Sequence, residues 1–175
     1  MDFHEETLMT VVRQSSTPVD THAFRGAMGA VVTPVAVVTA MLDEPHGTTV
    51  SAFCSLSLDP PMVLVSLQSD SDLLAIIRRT RRFGLNVLAH GQSAIAAVFA
   101  RRGVDRFDGL AWALSCGLPR LTGTASWAAC EVADLIVAGD HVIVTGLTQE
   151  ADHHDLPGLV YQHRRFGTFV ADATT

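Results

Sequence analysis

The segment that decides the fold runs from His46 to Pro61 and reads HGTTVSAFCSLSLDPP. Hydroxyl side chains alternate with apolar ones along it, and they are Thr49, Ser51, Ser55 and Ser57. Successive side chains of a strand point to opposite faces, so the segment predicts a strand over residues 48–57 with one hydroxyl-rich face. Such a face can hold a phosphate, a hydroxylated chain and the polar rim of a planar ring. It can equally be the solvent face of an ordinary strand, because alternation is a general strand signal.

Further segments of strand composition lie on both sides of this one. They are rich in Val, Ile and Thr, and turn-forming residues such as Asp59-Pro60-Pro61 separate them. Besides 48–57, the predicted strands are residues 31–42, 62–67, 83–89, 125–133, 141–149 and 165–170. Six or seven strands in a chain of 175 residues predict a mainly β protein.

Three short helices are predicted between the strands. Asp20 or Thr21 can cap a helix over residues 22–29, and Ser71 precedes an apolar run that ends in two arginines, 73–79. A third helix is predicted over residues 92–101 and a long loop over residues 103–123. The helices do not alternate regularly with strands, which argues against a doubly wound sheet. We therefore expect an antiparallel, Greek-key-like β-barrel with peripheral helices.

The composition suits one folded domain. The chain is 48% apolar and 17% charged, and we expect a flexible arm over residues 1–19 followed by a domain over residues 20–172. A formal net charge of -6 argues against nucleic acid or an anionic membrane as partner.

The cellular context follows from the cysteines and the first residues. Cys54, Cys116 and Cys130 are widely spaced without a CxxC pair, which predicts buried free thiols in a reducing cytoplasm. The first ten residues are acidic, unlike a signal peptide, and the longest nearly apolar stretch, 27–42, is too short to span a membrane. We expect a cytoplasmic protein with no membrane or nucleic-acid partner.

Segment 46–61 resembles the cofactor-binding motif of the short-chain flavin reductases, the reductase partners of two-component flavin monooxygenases. Matching pieces keep the family's order over nearly the whole chain: Phe24-Arg25, Val37-Val38-Thr39-Ala40, Phe83-Gly84-Leu85-Asn86-Val87-Leu88, Phe99-Ala100, Asp105-Arg106-Phe107, Gly139-Asp140-His141, and Tyr161 with Arg164-Arg165-Phe166. The resemblance implies an FMN-binding split β-barrel, usually a homodimer with flavin near the subunit interface. It also implies FMN or FAD as the bound flavin and NADH or NADPH as the reductant.

The resemblance assigns most of the expected flavin contacts to two segments. Those that line the flavin ring and chain are Thr49, Val50 and Ser51; those that lie along it are Ser55, Leu56 and Ser57; those that approach the phosphate end are Ser69 and Ser71. A helix start attracts phosphate, which supports Ser71. The alternative is that Ser71 only caps the helix.

The resemblance assigns four more residues to the site. His141 follows a Gly-Asp turn and is expected to face the nicotinamide side of the flavin as the one catalytic residue; the alternative is an imidazole bonded to a neighbouring carbonyl. Arg106 is expected near the flavin phosphate or the partner subunit, and otherwise in a surface salt bridge. Tyr161 and Arg164, or its neighbour Arg165, resemble the segment that closes over the dinucleotide. The alternative for the two arginines is solvated charge on an edge strand.

One position departs from the family. Many relatives carry glycine between the residues aligned with Thr33 and Val35, where the chain passes close to the flavin, and this chain has Pro34. Proline lacks an N–H and fixes φ, so one backbone bond to flavin is in doubt.

The expected function is reduction of flavin by NADH or NADPH, with reduced flavin diffusing to a separate monooxygenase. A non-catalytic flavin-binding or electron-carrier protein on the same barrel is the second hypothesis, and a split-barrel oxidase is the third. No dinucleotide-binding glycine motif and no P-loop occur. His153 and His154 are adjacent and rarely face one ion in such an arrangement, so no metal site is expected.

Overall fold

The computed structural model describes residues 19–172. No helix in this range is long and apolar enough to cross a membrane. The predicted flexible arm lies outside the described residues except for Val19, and the domain limits of 20 and 172 stay a prediction.

The described residues form three helices and twelve strands. The helices are α1 (Thr21–Gly29), α2 (Asp72–Thr80) and α3 (Ser93–Phe99). The strands are β1 (Thr33–Pro34), β2 (Ala36–Met41), β3 (Pro45–Val50), β4 (Phe53–Leu58), β5 (Pro61–Gln68), β6 (Arg82–Val87), β7 (Trp112–Ser115), β8 (Leu118–Leu121), β9 (Ser126–Ala138), β10 (His141–His153), β11 (Leu159–Gln162) and β12 (Arg165–Thr168).

A seven-stranded antiparallel sheet forms the body of the protein, in the order β3-β2-β6-β9-β10-β5-β4. Its inner face holds the largest core cluster, which includes Val38, Phe83 and Val144. α2 adds Leu73, Leu74, Ile76 and Ile77 to the same cluster, so the helix packs against this face. The predicted mainly β, antiparallel fold with peripheral helices is confirmed.

A second core cluster lies on the other side of β2, where Val35 and Val37 meet Phe99 of α3. The ring of Phe107 packs edge-on against Phe99, with centroids 5.0 Å apart, and against Trp112 at 5.4 Å. The segment after α3 is therefore fixed beside β3, next to the residues of the predicted site.

The predicted loop over residues 103–123 was wrong in part, because it contains the hairpin of β7 and β8. Each strand has only four residues, and the turn places Cys116, a non-glycine residue, at φ 49. Buried tertiary bonds hold the hairpin: the Thr39 hydroxyl donates to the Pro119 carbonyl at 2.7 Å, and the Leu121 N–H donates to Asn86 Oδ1 at 2.8 Å. No local sequence pattern predicts such bonds.

The predicted single strand over residues 48–57 was also wrong. The structure has β3 up to Val50 and β4 from Phe53, with a break at Ser51 and Ala52, and an irregularity shifts the β4–β5 register between Ser55 and Ser57. The four alternating hydroxyl residues therefore do not share one face of one strand.

Only one of the three cysteines is buried. Cys130 lies in the core, where burial raises the pKa of its thiol to about 11. Cys54 and Cys116 are exposed, so the prediction of buried thiols was wrong for both. Cys54 lies on the sheet-edge strand β4, and Cys116 lies at the tip of the β7–β8 hairpin, where core packing does not reach.

Candidate functional site

The end of β3, the end of β5, the start of α2 and the start of β10 meet around one cleft, here called the β3–β10 cleft. It is lined by residues 48–52 and 66–68 with Ser71 and His141, and its volume is about 250 Å³. Five predicted site residues come together in it: Thr49, Val50, Ser51, Ser71 and His141.

Strand pairing and two loop contacts fix this arrangement. His141 lies opposite Gln68 in the β5–β10 register. The Ser69 N–H donates to the Asp140 carbonyl at 3.0 Å, and the Ser66 N–H donates to the Ala52 carbonyl at 2.9 Å. The turn before β10 and the break after β3 are thus both tied to β5.

The break between β3 and β4 lies at the cleft and holds two residues whose N–H groups have no backbone partner in the described part of the chain. Among residues 19–172, neither the Ser51 N–H nor the Ala52 N–H donates to another backbone group. Both residues are exposed. Because an unpaired N–H group needs a hydrogen-bond acceptor, these two can donate to the carbonyl oxygens and ring nitrogens of a polar planar ligand.

The start of α2 supplies an anion-binding end to the same cleft. Ser71 is the N-cap residue, but its side chain makes no capping hydrogen bond. The alternative in which Ser71 only caps the helix is therefore not what the structure has. Its hydroxyl and the first N–H groups of the helix can donate hydrogen bonds to a phosphate. The negative charge of Asp72, in the first turn, repels the phosphate and weakens this binding.

His141 stands at the rim of the cleft with its ring held by its neighbour. The distance from Nδ1 to Asp140 Oδ1 is 2.7 Å, and 38% of the side chain is exposed. This hydrogen bond, together with the imidazole charge, lowers the pKa of Asp140. The ring partner is thus a carboxylate rather than the carbonyl of the alternative interpretation.

Comparison with known proteins agrees with the resemblance found in the sequence. Residues 28–169 match the model of the flavin reductase like domain. The chain belongs to the flavin reductase family. The predicted resemblance is confirmed. The predicted class of enzyme, one that reduces flavin with a nicotinamide nucleotide, is confirmed at the level of the family.

Two curated relatives and one solved structure illustrate the match. The flavin reductase is 38% identical to the FMN reductase (NADH) SmoA of Agrobacterium fabrum, over 86% of this chain and 87% of that one. It is 37% identical to the reductase component of a 4-nitrophenol 4-monooxygenase/4-nitrocatechol 2-monooxygenase of Rhodococcus opacus, over 87% and 83%. The Streptomyces globisporus NADH:FAD oxidoreductase SgcE6, solved in complex with NAD and FAD fragments, superposes with a TM-score of 0.86 at 32% identity, over 92% of this chain and 99% of that one.

The chain spans only about half of two longer relatives, from Rhizobium meliloti and Acinetobacter baylyi, at 47% and 49% of their lengths. The superposed structure confirms that the flavin reductase fold is the expected split-barrel type.

The polar side-chain atoms of Thr49 and Arg106 bond to backbone carbonyls of the flavin reductase itself. The Thr49 hydroxyl donates to the Ala96 carbonyl at 2.7 Å, so this side chain ties β3 to α3. Arg106 lies outside the β3–β10 cleft, in a neighbouring cavity of about 510 Å³. Its guanidinium donates to the Gly47 carbonyl at 2.6 Å and to the Arg101 carbonyl at 2.8 Å, which pins the loop after α3 onto β3.

The predicted contacts on β4 lie apart from the cleft. Ser55, Leu56 and Ser57 belong to the edge strand of the seven-stranded sheet, and none of them lines the cleft. Ser69 does not line it either, although its backbone bond to Asp140 helps to shape it.

Tyr161 belongs to a separate three-stranded sheet, β1-β11-β12. Tyr161 packs its ring against Phe166 with centroids 5.0 Å apart. Arg164 lies in the turn between β11 and β12. Pro34 pairs with Val160 in the same sheet, so the departure from the family also lies away from the β3–β10 cleft of this chain.

Sequence reasoning missed Ser66, Gln68 and Arg102. The first two line the cleft from β5, and Arg102 donates to Gln68 Oε1 at 3.2 Å and lies 3.6 Å from Asp70. Their positions depend on the pairing of β5 with β10, which no local signal reveals. Within residues 19–172 no three His, Cys, Asp or Glu side chains are grouped to hold a metal ion.

Proposed function

We propose that this flavin reductase holds FMN or FAD in the β3–β10 cleft and receives NADH or NADPH at the His141 side of that cleft. One observation carries the proposal, which is that four residues line the same cleft. Within residues 19–172 the N–H groups of Ser51 and Ala52 have no backbone partner and the Ser71 side chain makes no capping bond at the start of α2, and His141 stands beside them.

The residues present fit a flavin. The Ser51 and Ala52 N–H groups suit the polar rim of the ring, and Ser71 with the start of α2 suits the phosphate. A bound flavin supplies the hydride chemistry itself, so the protein has to bind, orient and keep one ring face open. N–H donors that are already in place also stabilise negative charge on a ligand without reorganising.

His141 is proposed to position the reductant. Its ring is held by Asp140 and stands at the rim, so it can donate or accept one hydrogen bond with the nicotinamide nucleotide. It need not supply a proton, because hydride transfer requires none from the protein.

We propose a homodimer, since three features of this chain call for a second copy. α1 buries none of its residues and exposes Phe24 and Met28, yet a nine-residue helix is marginal in water on its own. The edge strand β4 exposes Leu56 and Leu58, the latter to 90%. The cleft of about 250 Å³ also falls below the roughly 300–1,000 Å³ of typical cofactor sites, which a covering subunit would enlarge.

The reduced flavin is proposed to pass by diffusion to a separate monooxygenase. The Rhodococcus opacus relative named as a reductase component supports this role. The assay is NADH oxidation at 340 nm with FMN, FAD or neither. We expect turnover only when flavin is present. Flavin binding without NADH oxidation would instead favour a non-catalytic carrier, and turnover of another substrate without added flavin would contradict the proposal.

A further inference from the structure

The amide of Gln68 lies at the β3–β10 cleft, directly beside His141. Gln68 is the last residue of β5, and it pairs with His141, the first residue of β10. Side chains of residues paired in this way lie on the same face of a sheet, with Cβ atoms about 5 Å apart. Both residues line the cleft. A ligand on the His141 side of the cleft therefore meets two polar side chains rather than one.

Arg102 decides which end of the Gln68 amide faces the ligand. Its guanidinium donates to Gln68 Oε1 at 3.2 Å. A guanidinium carries only donors, so the amide oxygen has to face Arg102 and the amide NH₂ group has to face away from it. Arg102 does not line the cleft, and within residues 19–172 Gln68 Nε2 has no hydrogen-bond partner. The amide therefore offers a hydrogen-bond donor to a ligand in the cleft.

Contacts on the backbone and on the side chain hold Arg102 in place for this bond. The carbonyl of the preceding residue, Arg101, accepts a hydrogen bond from Arg106 Nε at 2.8 Å, and Arg106 also donates to the Gly47 carbonyl of β3. The Arg102 guanidinium lies 3.6 Å from the Asp70 carboxylate. Exposed ion pairs contribute little to stability, and the Arg102 side chain is 77% exposed. We therefore expect substitution of Arg102 to change the orientation of the Gln68 amide and to leave the fold intact.

The His141 ring offers the opposite hydrogen-bonding group. Its Nδ1 lies 2.7 Å from Asp140 Oδ1, and a carboxylate can only accept, so Nδ1 carries the proton. In the neutral ring Nε2 is then an acceptor. Among the described residues, Nε2 has no hydrogen-bond partner. A donor from Gln68 and an acceptor from His141 therefore lie side by side at the cleft.

We propose that Gln68 and His141 together bind the carboxamide group of the nicotinamide ring, and that Arg102 is a positioning residue that acts through Gln68. A primary carboxamide has a carbonyl oxygen that accepts and an NH₂ group that donates, so it complements this donor and acceptor. The inference rests on the proposed function and adds the chemical group by which the reductant is recognised. The pyrimidine edge of a flavin also alternates donors and acceptors, and the experiments distinguish the two ligands.

The first test compares NADH with reduced 3-acetylpyridine adenine dinucleotide, in which a methyl group replaces the carboxamide NH₂, at saturating FMN. Gln68→Met should lower kcat/KM about threefold to tenfold with both reductants, because both keep the carbonyl oxygen, whereas His141→Ala should lower it with NADH only. No loss in Gln68→Met, or an equal loss with both reductants in His141→Ala, would overturn this proposal alone. A wild-type protein that does not oxidise NADH with flavin present would refute the proposed function and this inference with it.

The second test separates the donor on Gln68 from its bond to Arg102. Gln68→Glu keeps an acceptor for Arg102 but presents no donor to the cleft, so it should lower kcat/KM for NADH at least as much as Gln68→Met does. Wild-type activity in Gln68→Glu would mean that Gln68 only holds Arg102, and it would overturn the proposal. Fluorescence titration should give Gln68→Met an FMN affinity within about threefold of the wild type, since no flavin contact is lost. A larger loss would place the amide on the flavin and would also overturn it.

The third test reverses the amide from a distance. Arg102→Glu should accept from Gln68 Nε2 and turn the amide oxygen towards the cleft, which should lower kcat/KM for NADH about threefold to tenfold. Arg102→Lys carries only donors and should restore most of the activity. Arg78→Glu, the same charge reversal on an exposed residue of α2, is the matched control and should act as the wild type does. In a Gln68→Met background Arg102→Glu should have no further effect, and an equal loss in both backgrounds would overturn the role of Arg102.

Discussion

Replacing His141 by alanine is expected to slow flavin reduction by NADH about threefold to tenfold while leaving flavin affinity within about threefold. The fold should survive, because the β10 register opposite Gln68 and Ala138 is a backbone pairing. The side chain itself is 38% exposed, and its one hydrogen bond among the described residues is the 2.7 Å bond to the exposed Asp140. What is lost is one hydrogen bond to the reductant, worth roughly 0.5–1.5 kcal/mol. At about 1.4 kcal/mol per factor of ten, these limits correspond to about twofold and about twelvefold, and the stated change in rate lies between them.

Stopped-flow reduction at saturating flavin measures the rate, and fluorescence titration with FMN measures the affinity. Asp140→Asn is the matched control: it keeps a polar partner for the imidazole, so its effect on the rate should be smaller than that of His141→Ala. A His141→Ala protein that binds flavin poorly but reduces the bound flavin at the normal rate would refute the reasoning. His141 would then belong to the flavin contacts instead.

Three further outcomes are expected. Ser51→Leu should weaken FMN binding far more than it lowers the melting temperature, since Ser51 is exposed at the cleft; unchanged FMN affinity in a fluorescence titration would remove it from the site. Gly146→Ala should lower the free energy of unfolding by about 1–3 kcal/mol in denaturant titrations, because its Cβ would lie 2.6 Å from Cζ of the buried Phe83; unchanged stability would mean that the ring moves aside freely. The Arg120 hydrogen bond lowers the pKa of Asp152, so this contact stabilises the protein above the ordinary pKa of 3.8 and is lost as pH falls through the lowered value. The melting temperature of Asp152→Asn should therefore lie below that of the wild type at neutral pH and converge with it in acid; a gap that persists in acid would contradict this.

Local patterns predicted the elements whose signals are complete within a few residues. Asp20 caps α1 by accepting a hydrogen bond from the Ala23 N–H, and α2 begins after Ser71 with four apolar residues on its buried side. The Gly139–Asp140 turn likewise sets the start of β10 at His141. Spacing, capping and turn chemistry act over short distances, so the sequence alone carries them.

Other elements depended on contacts between distant residues. β7 and β8 are too short to be predicted alone, and they are held by bonds to Thr39 and Asn86. The break at Ser51 and Ala52 is similar, because the Ser66 N–H bonds to the Ala52 carbonyl from another strand. Hydroxyl alternation predicted one continuous strand because nothing local opposed it.

The sequence by itself determined the family, the antiparallel β architecture and the identity of Ser51, Ser71 and His141 as site residues to be tested. Only the tertiary structure decided which candidates share a cleft. It brought those three together, bonded the Arg106 guanidinium to backbone carbonyls, and put Arg164 in the turn between β11 and β12. The physical reason is that side-chain direction along a strand is local, whereas the meeting of strand ends depends on sheet order and register, which link residues far apart in the chain.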